Sequence, residues 1–265
     1  MLFRSASRAN DCAPVVIGGR LRGGATELQA VTSQYLSSLL INAPLAETTT
    51  DIHVTVLNEK PYVYLTLDWL DRQAIRYTNR DDTDFTIEPN QRYAAFDRRI
   101  PADFSSATFF LCAGALGTNS IDILGLDFTD PQGDKAVVDY LRAMGADIAI
   151  DPDRVRVRGR GLKGIEIDMN ATPDALPAMA VVGAFAEGTT RLVNVPQARL
   201  KETDRIAVMA AELARLGVRC QELPDGLVIH HSPVRGGAVA GHDDHRIVMA
   251  MAIAGLAAGD RKSVG

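Results

Sequence analysis

Leu200-Lys201-Glu202-Thr203-Asp204-Arg205 loads the start of an otherwise apolar helix with charge and puts a cation where a cation is unwelcome. After Thr203 the apolar positions Ile206, Met209, Ala210, Leu213 and Leu216 recur at helical spacing, and Gly217 supplies the stop. Arg205 therefore falls in the first turn. The positive end of the helix dipole disfavours it there by a few tenths to about 1 kcal/mol, unless an anion lies between them. The segment reads as an anion site or as a solvated charge cluster at a helix start.

The same kind of opening occurs 70 residues earlier, where Gly133-Asp134-Lys135 begins a helix that ends near Gly145. A second series runs beside it. Residues 32–46, 103–117, 172–188 and 243–259 each begin with a small polar or acidic cap and continue into an apolar helix of small residues. Asp103, Asp174 and Asp244 follow one another at 71 and 70 residues, and Gly117, Gly188 and Gly259 at 71 and 71. Strands are predicted after the first helices at 121–126 and 190–195, and after the second at 148–150 with 155–157 and at 218–223 with 226–230. Each repeat thus reads helix, strand, helix and two short strands. One such unit cannot bury both faces alone, so stacked copies must share a core. The polar stretch 79–99 is the predicted boundary region, with the junction near Pro101 and domains at 1–101 and 102–265.

Composition narrows the class. A chain of 265 residues, 46% apolar with net charge −5, is long enough for a full core in one or two domains. With no Lys/Arg block, it does not read as a general binder of nucleic acid or of a membrane surface. Cys12, Cys112 and Cys220 form no metal spacing, and their odd number argues against a disulfide framework, so a reducing cytoplasm is the expected setting. The apolar run 247–258 is too short to span a bilayer. Residues 1–5 and 260–263 can be encoded by mutually reverse-complementary DNA that matches a sequencing adapter, so 1–5 and 260–265 are expected to be adapter-derived and the natural frame cut on both sides.

Ser33-Gln34, Lys60-Pro61-Tyr62, Asp103-Phe104-Ser105-Ser106-Ala107, Gln132-Gly133-Asp134, Pro173-Asp174-Ala175, Lys201-Glu202-Thr203-Asp204-Arg205 and Asp244-His245-Arg246 occur in a specific order and spacing across residues 14–259. In this the chain resembles the 5-enolpyruvylshikimate-3-phosphate synthases. The resemblance implies a two-domain inside-out α/β barrel, the enolpyruvyl transferase fold, built from repeated βαβαββ units whose helix N-termini point into a shared cleft. On that reading, 1–101 is the second half of the N-terminal domain and 102–265 most of the C-terminal one. The implied reaction moves the enolpyruvyl group of phosphoenolpyruvate onto the 5-hydroxyl of shikimate 3-phosphate and releases phosphate. It needs no metal, no redox cofactor and no partner besides the two substrates, and the full-length family member is expected to be a monomer.

The resemblance also assigns roles. Asp174 matches the carboxylate that takes the 5-hydroxyl proton, although read alone, behind Thr172 and Pro173, it is equally a first-turn acid of a capped helix. Glu202 matches the group that exchanges a proton with the methylene carbon. Thr32, Ser33, Gln34, Tyr62, Asp174, Gln197 and Lys201 match the shikimate 3-phosphate side, while Gln34, Arg205 and Arg246 match the phosphoenolpyruvate side. Arg246 repeats the oddity of Arg205, a cation at the start of an apolar helix, and arginine suits bidentate binding of carboxylate or phosphate. Tyr62 reads alternatively as a packed tyrosine of a strand. The run His242-Asp243-Asp244-His245 is better explained by capping and local hydrogen bonds than by a metal, and His230-His231 as structural.

Departures mark where the pattern bends. Glu59 stands where many family members carry serine, and its carboxylate would repel the shikimate phosphate; Gln197 replaces a usual asparagine. Pro177 is expected to remove a donor just past the first turn of its helix. The family's Lys-Ser motif, Asn-Ala-Gly-Thr loop and C-terminal lysine have no counterpart, so little synthase activity is expected from the chain as given. Two other readings stay open: a UDP-N-acetylglucosamine enolpyruvyl transferase, which lacks the Lys-Glu-Thr-Asp-Arg string, and a non-catalytic binding domain of the same fold.

Overall fold

The structure, a computed structural model, describes residues 4–6 and 16–258. Residues 259–265, including Gly259 and the expected adapter-derived end, lie outside the described residues, as do 1–3 and Cys12; Arg4 and Ser5 fall in a strand. Contacts within the chain divide it into two units, Met1–Arg98 and Arg99–Gly265.

In the first unit, β1 (Arg4–Ala6) pairs antiparallel with β2 (Val16–Gly18). A βαβαββ unit follows: β3 (Gly24–Ala30), α1 (Ser33–Asn42), β4 (Thr50–Leu57), α2 (Lys60–Arg72), β5 (Tyr77–Arg80) and β6 (Asp84–Ile87). Its sheet runs β3-β4-β6-β5, with β3 parallel to β4 and the other pairs antiparallel. β4 shows why the sheet has one dry face. Ile52 and Val54 are buried while Asp51, His53 and Thr55 between them are exposed, the period of a half-buried strand. Leu36, Leu40, Val63, Leu67 and Leu70 of the helices close over that face, together with Phe85 and Ile87.

The second unit opens with α3 (Phe104–Ala115), β7 (Ser120–Leu124), α4 (Ala136–Met144), β8 (Asp147–Asp151) and β9 (Arg154–Arg158), whose strands form an antiparallel sheet in the order β7-β9-β8. A complete βαβαββ unit comes next: β10 (Glu166–Asp168), α5 (Leu176–Phe185), β11 (Thr189–Val193), α6 (Arg205–Arg215), β12 (Arg219–Leu223) and β13 (Gly226–His230). Its strand order, β10-β11-β13-β12, and its pairing directions are those of the first unit's sheet. α7 (His245–Ala257) follows. α5 is buried along its whole length from Leu176 to Ala184, and α3, α6 and α7 all pack against it. Gly183 permits its close approach to β11, because a Cβ there would lie 3.0 Å from the Cβ of Thr190.

α6 begins at Arg205 behind Asp204, which caps it through the Ala207 N–H, so Arg205 falls in the first turn as expected. Three expectations need correction. Thr172 makes no side-chain cap, and Pro173–Ala175 form a separate 3₁₀ turn ahead of α5. Pro177 consequently sits in the first two positions of α5, where no intrahelical donor is lost. The strands of the first unit, β3 among them, and β10 were not among the predicted strands.

Candidate active site

The charge-loaded start of α6 is built around one buried cation. The Arg205 side chain is 1% exposed, and its guanidinium donates to three carboxylates. Nε lies 2.8 Å from Asp244 Oδ2, Nη1 2.8 Å from Asp174 Oδ1 and Nη2 2.5 Å from Glu202 Oε2. The anion that the sequence demanded for Arg205 is therefore supplied by the chain itself. The three acids come from three places: the 3₁₀ turn before α5, the loop before α6 and the N-cap of α7.

Two further cations reach Asp174. Arg246 Nη2 lies 3.2 Å from its Oδ2, and Lys201 Nζ 3.6 Å from its Oδ1. Asp174, Lys201, Glu202, Arg205 and Arg246 thus form one cluster, to which Asp244 adds the third acid, so its formal charges cancel. The helix starts explain the convergence. Asp244 caps α7 by accepting the Arg246 N–H at 2.9 Å, which fixes Arg246 in the first turn. Asp204 is tied to Arg199 Nη1 at 2.7 Å while capping α6. Asp174 caps nothing of its own helix; it faces the cations.

Gln197, expected on the substrate side, sits in the 3₁₀ turn Pro196–Leu200, which packs against the turn that carries Asp174. It is 1% exposed, its Nε2 donates to the Asn170 carbonyl at 3.0 Å, and its buried Oε1 has no hydrogen-bond partner. In the first unit, Thr32 and Ser33 are buried at the start of α1 and Gln34 is exposed; Tyr62, read alternatively as a strand residue, is instead half-buried in the first turn of α2. Glu59, read from the sequence as a group that repels a phosphate, has an internal role. Its Oε2 accepts the Ser33 N–H at 3.0 Å and the Ser33 hydroxyl at 2.7 Å, so it satisfies the N-terminus of α1. It does so from the left-handed region, with φ 56°, ahead of α2.

Two acids were not recognised from the sequence. Asp244 reads as a helix cap, and nothing in its neighbourhood announces Arg205. Glu212 is fully buried on α6; its Oε1 accepts from His242 Nε2 at 2.7 Å and its Oε2 from the Ala240 N–H at 3.0 Å. The one available signal was its spacing of seven residues from Arg205, two turns along the same face.

Burial pushes both carboxyls up, but their partners win. Hydrogen bonds from Arg205 and the Arg246 N–H, with the Arg205 charge, hold Asp244 below the usual carboxylate range. His242, the Ala240 N–H and Arg215 do the same for Glu212. A depressed carboxyl stabilises the fold fully above the unfolded value and loses that contribution as pH falls through the folded one. Thermal unfolding is therefore expected to shift to lower temperature on acidification from about pH 5 to pH 3. Asp244→Asn, which keeps the cap, should flatten this slope. A wild-type midpoint that does not move over that interval would contradict the assignment.

A family model described as EPSP synthase (3-phosphoshikimate 1-carboxyvinyltransferase) matches residues 5–264. The chain is 57% identical over 250 residues to a 3-phosphoshikimate 1-carboxyvinyltransferase of Ruminiclostridium cellulolyticum, covering 94% of this chain and 59% of that protein. To that of Acetivibrio thermocellus it is 54% identical over 251 residues, covering 95% and 59%. It superposes on a solved EPSP synthase from Acinetobacter baumannii with TM-score 0.75 at 25% identity, covering 96% of this chain and 61% of that one. The chain spans about 59% of the length of the curated relatives it matches. On the breadth of that match, together with the repeated βαβαββ units and the carboxylate-held Arg205, the chain belongs to the EPSP synthase family.

Proposed function

We propose that the protein to which this chain belongs transfers the enolpyruvyl group of phosphoenolpyruvate to the 5-hydroxyl of shikimate 3-phosphate, releasing phosphate. The observation that carries this reading is Arg205, buried and shared among Asp174, Glu202 and Asp244, with Lys201 and Arg246 on Asp174. A charge-balanced cluster of this kind has arginines to hand over to an incoming anion and carboxylates that then lose their partners. Asp174 takes the hydroxyl proton as the oxygen bonds to the central carbon of phosphoenolpyruvate, and Glu202 delivers a proton to the methylene carbon. In the elimination that carbon returns its proton to Glu202 as the C–O bond to phosphate breaks, and the leaving phosphate takes up the proton that Asp174 holds. Positioned acid and base groups contribute about 10²- to 10⁴-fold each.

Arg205 and Arg246 hold the phosphoenolpyruvate phosphate and carboxylate, and the family resemblance adds Gln34 to that side. Thr32, Ser33, Tyr62, Lys201 and Gln197 serve the shikimate 3-phosphate side, Gln197 after it leaves Asn170. Residues 1–101 form the second half of the N-terminal domain and 102–265 most of the C-terminal domain. The enzyme works as a cytoplasmic monomer; among the described residues no helix is long and apolar enough to cross a membrane.

Calorimetric titration of the purified chain with phosphoenolpyruvate tests the reading. Binding should weaken by about tenfold or more in Arg246→Ala, which loses a charge-assisted contact of roughly 1.5–3 kcal/mol. Equal affinity in wild type and variant would refute the role given to Arg246.

A further inference from the structure

α6 grips the loop before α7 at two points. Arg205, at the start of the helix, holds Asp244, and Glu212, two turns later on the same buried face, holds the Ala240 N–H and His242 Nε2. Between these grips the backbone is strained. His242 and Asp243 have φ 51° and 54°, a left-handed conformation that costs non-glycine residues about 1 kcal/mol or more each and persists only where the surroundings impose it. Gly241 leaves no slack, because a Cβ there would lie 2.6 Å from Val248 Cγ2, and its carbonyl accepts the Asp244 N–H at 3.0 Å. The loop ends on Asp244, whose carboxylate caps Arg246. Displacing His242 therefore moves the cap, and with it the first turn that carries Arg246.

We infer that Glu212 is a positioning residue for the anion site, fixing Arg246 opposite Asp174 through the strained loop 240–244. It touches none of the substrate-binding groups. Arg205 grips the Asp244 carboxylate side-on, Nε 2.8 Å from Oδ2 and Nη2 3.3 Å from Oδ1, which orients the side chain, and the second grip at His242 fixes the backbone that carries it into the cap of α7. The inference rests on the reading of Arg246 as a phosphoenolpyruvate ligand, and its own test has one arm that does not need the ligand.

In the ligand-free chain, Glu212→Leu and His242→Ala should speed hydrogen exchange at the Arg246 amide by about tenfold, in line with loss of one member of a hydrogen-bonded network. Exchange in β11 and β13 should stay unchanged. Glu212→Gln, which can still accept from Ala240 and donate to a neutral imidazole, should restore protection. In the second arm, His242→Ala should weaken phosphoenolpyruvate binding by roughly tenfold in the wild-type background and by nothing further in Arg246→Ala, the non-additivity of groups that act through one another. An unchanged Arg246 amide in both variants overturns the inference, as does an equal loss of affinity in both backgrounds. Failure of the wild-type chain to bind phosphoenolpyruvate would instead count against the functional reading, leaving Glu212 to be judged on amide exchange.

Discussion

Arg205→Met is expected to lower the unfolding free energy of the second unit by about 3–5 kcal/mol, the cost of leaving a buried ion network without one partner. The reason lies less in the lost attraction than in what remains. Asp244 has no exposed surface, and without the guanidinium its charge keeps the Arg246 N–H, the hydroxyl of Thr203 at 3.4 Å and the His245 ring at 3.9 Å. Methionine matches the length of the arginine stem, so packing is largely preserved and the loss reports on charge. Adding Asp244→Asn should recover a good part of it, since asparagine still caps α7 and carries no charge to strand. The Asp244 part of the pH response should also invert, while the part due to Glu212 stays. In Arg205→Met the folded carboxyl ionises less readily than the unfolded one, so acidification through about pH 4 relieves the strain instead of adding to it. Denaturant titrations of the three proteins at two pH values would decide the matter, and a loss below about 1 kcal/mol would show that Arg205 is not the cation holding these acids together.

Asp174→Asn should separate binding from chemistry. Turnover is expected to fall by about 10²- to 10⁴-fold, the usual worth of a positioned base. Affinity for phosphoenolpyruvate should hold or improve, because Asp174 is the carboxylate that Lys201, Arg205 and Arg246 all approach. An amide offers them a weaker acceptor and frees them for an incoming anion. The measurement is phosphate release, together with calorimetric binding, in a full-length family member that carries residues 16–258 of this chain in place of its own. A parallel loss of affinity and turnover would mean that Asp174 organises the cations and does not act on the hydroxyl.

What could be read from the sequence follows the range of the forces involved. The helix starts were legible because caps and dipoles act within a few residues: Asp103 accepts the N–H groups of Ser105 and Ser106, and Asp244 that of Arg246. Their spacing exposed the repeat. β3 and β10 stayed hidden because each is held by parallel pairing across a helix, to β4 and β11, and β10 is only three residues long. Asp174, Lys201, Glu202, Arg205 and Arg246 were found through motif resemblance. Their mutual geometry was not legible, because Asp174 and Asp244 lie 31 and 39 residues from the arginine they share. Glu59 shows the limit of reading a residue against a pattern, since the comparison with a usual serine gave no sign of its two hydrogen bonds from Ser33.

The repeated strand order has a consequence for how the chain acquires its shape. Every strand of the sheet formed by β3 to β6 lies before residue 88, and every strand of the two sheets formed by β7 to β13 lies after residue 119. No ladder among the described residues crosses the exposed stretch 92–100. Ladder formation on one side therefore waits for nothing on the other, and the longest backbone pairing to be closed spans one unit and not the chain, which favours rapid folding as the segments leave the ribosome in turn. A single proteolytic cut at 99–100 should accordingly yield two pieces that each retain their circular dichroism and refold separately, and a collapse of either piece on cutting would show that it borrows stability from the other.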